Sequence, residues 1–142
     1  MNKKSYSAVE IIFVIVLISI LAGLALMRAN PVALLQTQLQ ASARALVGDL
    51  RLTRSLAITH AGQYRLEIDP LSKTYRILDS SDAQVGEKRT LDEDITIGGD
   101  VVFVFESLGN ASSGTGVTLS AGGDQYVISI VSATGMISFL KI

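Results

Sequence analysis

The chain has no cysteine and no tryptophan, one histidine and two prolines in 142 residues. Without cysteine there is no disulfide framework, no thiol nucleophile and no cysteine-held zinc or iron–sulfur group. The compartment stays open, because an exported protein need not carry disulfides. His60 is the single histidine, so any histidine-based triad would depend on it; it lies at an expected helix end, where capping is the commoner role. An excess of either charge is missing too. Twelve Lys and Arg face 13 Asp and Glu for a formal net charge of −1, which argues against a protein built mainly to hold nucleic acid or anionic lipid. The length suits one domain. A mean hydropathy of +0.43 with an ordinary apolar fraction of 49% means that the hydrophobicity is concentrated in one place.

That place is the start. Residues 11–27 read IIFVIVLISILAGLALM, seventeen residues without a charge between Glu10 and Arg28. As a helix the run is ~25 Å long, slightly short of the ~30 Å hydrocarbon core of a bilayer. Thirteen of its side chains are large and apolar, and hiding them from water is worth roughly 20 kcal/mol. The segment belongs in lipid or against other apolar helices. Lys3 and Lys4 precede it and Arg28 follows, a bias toward a cytoplasmic N-terminus.

Three readings of this segment stay open on composition alone. It can be a secretory signal with a small-residue cleavage site at residues 23–25, a plain membrane anchor, or a helix in which Glu10 has a task. A carboxylate inside a bilayer costs ~2.5 kcal/mol or more and usually has a partner or a job. Ser19 and Gly23 have the small-xxx-small spacing that permits close helix approach.

Beyond Arg28 the helical pattern continues, with Asn30-Pro31 expected to bend or locally melt it. Val32, Leu35, Leu39, Ala43, Leu46, Leu50, Thr53 and Ala57 recur at spacings of three and four. Gln36, Gln38, Gln40, Arg44, Asp49, Arg51 and Arg54 fill much of the remainder. This is an amphipathic helix with one face for a sheet, ended by Ala61-Gly62. From Gln63 the period changes to strands. Residues 63–68 and 73–78 flank a turn at Asp69-Pro70-Leu71-Ser72. Residues 80–89 are polar and read as loop, and Thr90-Leu91 and residues 95–97 as short strands. Residues 101–105, 117–119, 125–131 and 136–140 complete a glycine-punctuated antiparallel set, with residues 114–116 as loop. The fold class is α+β: a long N-terminal helix, apolar then amphipathic, packed against an antiparallel β domain.

The stretch Lys3-Lys4-Ser5-Tyr6-Ser7-Ala8-Val9-Glu10 before the apolar run resembles the leader of type IV pilins and pseudopilins. The resemblance implies a leader of residues 1–5, cut between Ser5 and Tyr6 by the prepilin peptidase. It also implies N-methylation of Tyr6, and an assembly role for Glu10 as the fifth residue of the mature chain. The family prefers Gly before the cut and Phe after it, where this chain has Ser5 and Tyr6. Residues 6–30 would be the transmembrane and filament-core helix, 31–61 its amphipathic half and 62–142 the β domain. A free ammonium on Tyr6 would find its counter-charge in Glu10 of a neighbouring subunit or of its own chain.

The run Leu46-Val47-Gly48-Asp49-Leu50-Arg51-Leu52-Thr53-Arg54-Ser55-Leu56-Ala57-Ile58 is similar to the helix signature of the GspH/FimT group of minor pseudopilins. A Phe-x-x-x-Gly element at Phe105 to Gly109 and the closing strands at Tyr126-Val127-Ile128 and Thr134-Gly135-Met136-Ile137 fit the same group. This resemblance implies a structural subunit of a type II secretion or type IV pilus filament. Its partners would be other pilin-like subunits, the peptidase, the inner-membrane assembly platform and the lipid bilayer. It would sit in the inner membrane as a single-pass protein with a periplasmic C-terminal domain. No catalytic residue, cofactor or metal is implied.

Other classes are weighed against the residues that would carry them. DNA capture, known among FimT-like pilins, needs clustered cations to displace counterions. Residues 91–142 carry six acids (Asp92, Glu93, Asp94, Asp100, Glu106 and Asp124) against Lys141 alone. Arg51, Arg54, Arg65 and Arg76 could form another patch, but solvation or pairing with Asp49 and Glu67 is the plainer expectation. Asp92, Glu93, Asp94 and Asp100 could hold calcium, though such a run is more often a solvated loop. Residues 109–116 are glycine-rich without the Lys-Ser/Thr ending of a phosphate loop. An exported or anchored β module of unknown role is the remaining alternative.

Overall fold

The structure is a computed structural model that describes residues 8–27 and 31–142. A boundary between two compact units falls after Leu34. In the first unit, α1 (Ala8–Met27) is 20 residues of continuous helix, ~30 Å at the standard rise. In α2 (Pro31–Thr59) proline opens the helix, where its missing N–H would have had no intrahelical partner. The expected break at Asn30-Pro31 falls partly on residues 28–30, which lie outside the described residues.

The second unit is built on α2. Leu39, Ala43, Leu46, Leu50, Thr53 and Ala57 are fully buried along one stripe, the face that the three–four spacing selects. Asp49 departs from the expectation of a polar outer position: it is 7% exposed, on the sheet side. The helix stops as expected, by a Schellman arrangement. Gly62 N–H donates to the Ala57 carbonyl at 3.1 Å and Ala61 N–H to that of Ile58 at 3.3 Å. The left-handed position is held by Ala61 (φ 48°), not by the glycine after it.

Nine strands follow among the described residues: β1 (Tyr64–Asp69), β2 (Thr74–Asp79), β3 (Gln84–Thr90), β4 (Thr96–Gly99), β5 (Val102–Phe105), β6 (Ala111–Ser113), β7 (Gly116–Ala121), β8 (Asp124–Val131) and β9 (Met136–Lys141). They form two antiparallel sheets, ordered β3-β2-β1-β5-β6 and β4-β7-β8-β9. Alternation sends Leu66 and Ile68 inward from β1, opposite Ile77 and Tyr75. In the second sheet Val117 and Leu119 oppose Ile128 and Tyr126. These side chains, Phe103, Phe105 and the buried stripe of α2 belong to one apolar core.

The β1–β2 hairpin turns where the sequence places it. Asp69 Oδ1 accepts from the Leu71 and Ser72 N–H groups and Oδ2 from the Ser72 hydroxyl. Three expectations are corrected. Residues 80–89 are not all loop: β3 occupies Gln84–Thr90, after a turn in which Asp79 Oδ1 accepts from Ser81 and Ala83 N–H. With Val85 its sole large apolar side chain and a register shift against β2, this edge strand carries no alternation to read. It is blunted by charge. Leu91 leaves the ladder and buries itself in the core, its N–H donating to the Lys73 carbonyl at 2.7 Å. The three-residue β6 was not anticipated, and Gly116 opens β7 instead of lying in a loop.

Candidate functional site

In α1 the described side chains, residues 8–23, are all exposed. Val9 is 75% and Phe13 67% accessible, and every side of the helix is apolar. Leaving these groups in water costs on the order of 10 kcal/mol, so in the working protein something covers them. Glu10 is the acid in the first turn, where the partial positive charge of a helix start favours an anion. It is exposed and borders a shallow hollow with Ile11, Val14 and Ile15. The Ser19 hydroxyl donates to the Ile15 carbonyl at 2.8 Å, so its polarity is satisfied within its own helix. Ser5 and Tyr6 lie outside the described residues. Among the described residues no helix is long and apolar enough to cross a membrane.

The sheet domain holds two polar junctions. In the first, Asp49 Oδ2 accepts from the Tyr75 hydroxyl at 2.7 Å and pairs with Arg89 Nε at 3.3 Å. An acid on the core side of a helix requires such partners, because a buried charge without them is prohibitively costly. Thr53 closes the arrangement, its hydroxyl donating back to the Asp49 carbonyl at 2.7 Å. Burial, followed by the hydrogen bond to Asp49, holds the Tyr75 hydroxyl far above the ordinary phenol value of 10.0. This junction ties α2 to β2 and the edge strand β3.

The second junction gathers three separated sequence signals at one point. Arg54 Nε donates to the Gly109 carbonyl and Nη2 to the Thr134 carbonyl, both at 2.9 Å. The planar guanidinium thus fastens α2 to the β5–β6 turn and the β8–β9 turn, a two-point geometry that Lys could not reproduce. Gly109 (φ 82°) and Gly135 (φ 64°) adopt left-handed conformations. A Cβ on Gly135 would lie 1.8 Å from the Gly109 carbonyl oxygen, and one on Gly109 would lie 2.7 Å from Ile58 Cδ1. At Gly135 the obstacle is backbone; at Gly109 it is the side chains of Ile58 and Arg54, with the left-handed φ as the further constraint.

These engagements take up three of the four arginines weighed as a cation patch, and Arg51 is exposed. Arg54 is spent on carbonyls, Arg76 pairs with Glu67 at 2.9 Å and Arg65 with Asp82 at 2.7 Å. Asp49 meets Arg89, not the helix arginines. The acidic residues 92–94 and Asp100 do not gather round a common point. Asp92 Oδ1 accepts from Asp94 N–H at 3.1 Å. Asp100 Oδ2 clamps the connection from β6 to β7, accepting from Thr115 N–H at 2.6 Å and from Gly116 N–H at 3.2 Å, and these backbone donors hold its carboxyl below the ordinary value of 3.8. Among the described residues no group of three or more His, Asp or Glu is placed to hold a metal ion. His60 Nδ1 donates to the Leu56 carbonyl at 3.1 Å and its ring lies against Tyr64, a capping role. Tyr75 and Arg89 were missed as a pair. The available signal was Asp49 itself, an acid between Leu46, Leu50 and Thr53 on the apolar side.

Arg54, Gly109 and Gly135 all fall within residues 42–135, the span matched by the sequence model of the family described as type II transport protein GspH. The chain belongs to the GspH family. No curated protein matches it in sequence. Among solved structures it is similar to the minor pseudopilin EpsH from the type 2 secretion system of Vibrio cholerae: TM-score 0.60, 15% identity, 72% of this chain and 96% of that one covered. It is also similar to the type IV minor pilin FimU of Pseudomonas aeruginosa: TM-score 0.61, 20% identity, 74% of this chain and 90% of that one covered. At these identities the likeness is one of fold, that of pilin-like structural subunits. The GspH match begins at residue 42, beyond α1, Glu10, Tyr6 and Ser5.

Proposed function

We propose that the chain is a minor pilin-like subunit of a type II secretion or type IV pilus filament, and not an enzyme. It is made with a leader, residues 1–5, that the prepilin peptidase removes between Ser5 and Tyr6, and Tyr6 is then N-methylated. The helix of residues 6–30 holds it in the inner membrane, with the β domain in the periplasm, until the assembly platform transfers it into a filament. Glu10 accepts the ammonium of Tyr6 from a neighbouring subunit and so sets the axial register.

The observation that carries this reading is an apolar helix exposed on every side with one acid in its first turn, on a chain of the GspH family. Transfer from lipid to a bundle of like helices keeps the apolar surface dry throughout, so it involves little hydrophobic free energy. A carboxylate–ammonium pair in that low-dielectric setting supplies direction, because a subunit out of register leaves both charges unpaired. The sheet domain contributes a body with one apolar core, tied to α2 by the Asp49 and Arg54 junctions.

The decisive experiment is the N-terminal mass of the mature protein from cells with and without prepilin peptidase. The expected product begins at Tyr6 and carries one methyl group, and it is absent without the peptidase. A product beginning near residue 26 would instead identify an exported β module and refute the reading. Glu10→Ala is expected to be processed normally and to fail to enter filaments. Normal incorporation of that variant would remove the carboxylate from the mechanism.

A further inference from the structure

The outward side of α2 within the sheet domain carries a glycine that nothing in this chain explains. Gly48 lies mid-helix and is exposed, and a Cβ built on it meets nothing within 4 Å. Glycine destabilises a helix interior relative to alanine by its greater backbone freedom. Gly109 and Gly135 are accounted for by left-handed turns and by neighbouring atoms of the same chain; Gly48 has neither reason. Its bare backbone gives another molecule room to approach the helix.

The charges beside it say what kind of molecule. Arg44 and Arg51 stand one turn before and one turn after Gly48, on the same face, and both are exposed. Arg54, Arg65, Arg76 and Arg89 each commit the guanidinium to a carbonyl or carboxylate of this chain. Among the described residues Arg44 and Arg51 have no such partner. The acid of α2, Asp49, is buried against Tyr75 and Arg89 and offers them no counter-charge. The face is therefore cationic and uncompensated, with its closest point of approach between two fork-shaped donors suited to carboxylates. Two copies meeting face to face would set arginine against arginine, which disfavours a symmetric dimer through this surface.

We propose that this face of α2 docks an acidic surface of a neighbouring pilin-like subunit, with Arg44 and Arg51 pairing with its carboxylates and Gly48 allowing it to come close. The proposal rests on the filament reading above and adds the partner's chemistry. A helix facing a glycine reaches the short end of the 8–10 Å interaxial range. Carboxylates about 10 Å apart on that partner would meet both arginines, given a rise of ~1.5 Å per residue over seven residues.

The test uses the full-length chain in its own cells, comparing Arg44→Glu/Arg51→Glu, Gly48→Leu and Glu10→Ala with the native protein. Both α2 variants are expected to keep native membrane levels and thermal midpoints and to lose filament incorporation by tenfold or more. Since the chain has no cysteine, Ser55→Cys, exposed two turns beyond Gly48 on the same side of α2, offers a single attachment point for a short thiol–amine cross-linker while leaving Gly48 bare. The product expected is an adduct with a pilin-like subunit, lost on Arg44→Glu/Arg51→Glu and restored when the partner's facing acids are changed to Lys. Native incorporation of Arg44→Glu/Arg51→Glu while Glu10→Ala is excluded would overturn this proposal and leave the filament reading standing. Absence of the native chain from filaments would overturn both. An adduct with a second copy, with DNA or with no protein at all would also overturn it.

Discussion

The Arg54 junction can be tested by Gly135→Ala, with Gly123→Ala as its internal control. Both glycines have positive φ, 64° and 88°. Each substitution therefore carries the strain of an L-residue in a left-handed conformation, about 1 kcal/mol. They differ in surroundings. A Cβ on Gly123 meets nothing within 4 Å, whereas one on Gly135 falls 1.8 Å from the Gly109 oxygen and 2.9 Å from Arg54 Nε. Backbone must move there, and the two bonds donated by Arg54 at 2.9 Å are the first to go. Hydrogen bonds from a charged donor contribute about 1.5–3 kcal/mol each, less where solvent reaches them. Gly135→Ala should thus cost about 3–5 kcal/mol against about 1 for Gly123→Ala. That is a large share of the ~5–15 kcal/mol typical of a whole domain. Urea unfolding of the full chain in detergent, followed by the near-ultraviolet circular dichroism of its tyrosines, measures both. Arg54→Ala should cost about 2–4 kcal/mol, and combined with Gly135→Ala should fall well short of additivity, since both break the same bonds. Equal costs for the two glycine variants, or full additivity with Arg54→Ala, would refute the junction as described.

Three further outcomes are expected. Tyr75→Phe removes the hydroxyl bound to Asp49 and should cost about 1–2 kcal/mol near neutral pH. Because the folded-state pKa of Tyr75 is raised above the ordinary 10.0, its contribution is present below pH 10 and declines above it. There the unfolded phenol releases its proton while the folded one keeps it. The alkaline loss of stability should accordingly be smaller in Tyr75→Phe, as denaturation across pH 8–12 would reveal. Ala61→Gly relieves a left-handed alanine (φ 48°) at the end of α2 and should stabilise by about 1 kcal/mol, read as a rise in unfolding midpoint. Asp100 is held below 3.8 by the Thr115 and Gly116 amides, so its contribution is present above the unfolded value and is lost as pH falls through the folded one. Asp100→Asn should flatten the stability profile below about pH 4, and an unchanged acid limb would exclude the clamp.

Much of the fold could be read from residue order because its determinants are local. The buried stripe of α2, the Asp69 turn and the end at Ala61-Gly62 follow from periodicity and from side chains that bond their own backbone. The edge strand β3 was not legible: its polar residues gain strand form from pairing with β2, a long-range effect without a local trace. Leu91 likewise reads as the end of a strand, yet its N–H turns to Lys73 and its side chain to the core.

The functional signals divide the same way. Composition and order alone determined that residues 11–27 must avoid water and that Glu10 stands out in their company, since hydrophobicity and charge are properties of residues before they are properties of folds. Tertiary structure alone decided which arginines are already committed and which face outward. It also brought Arg54, Gly109 and Gly135, up to 81 positions apart in the chain, into one junction. Hydrogen bonds and steric limits act over a few ångströms of space, and only folding converts separation along the chain into such distances.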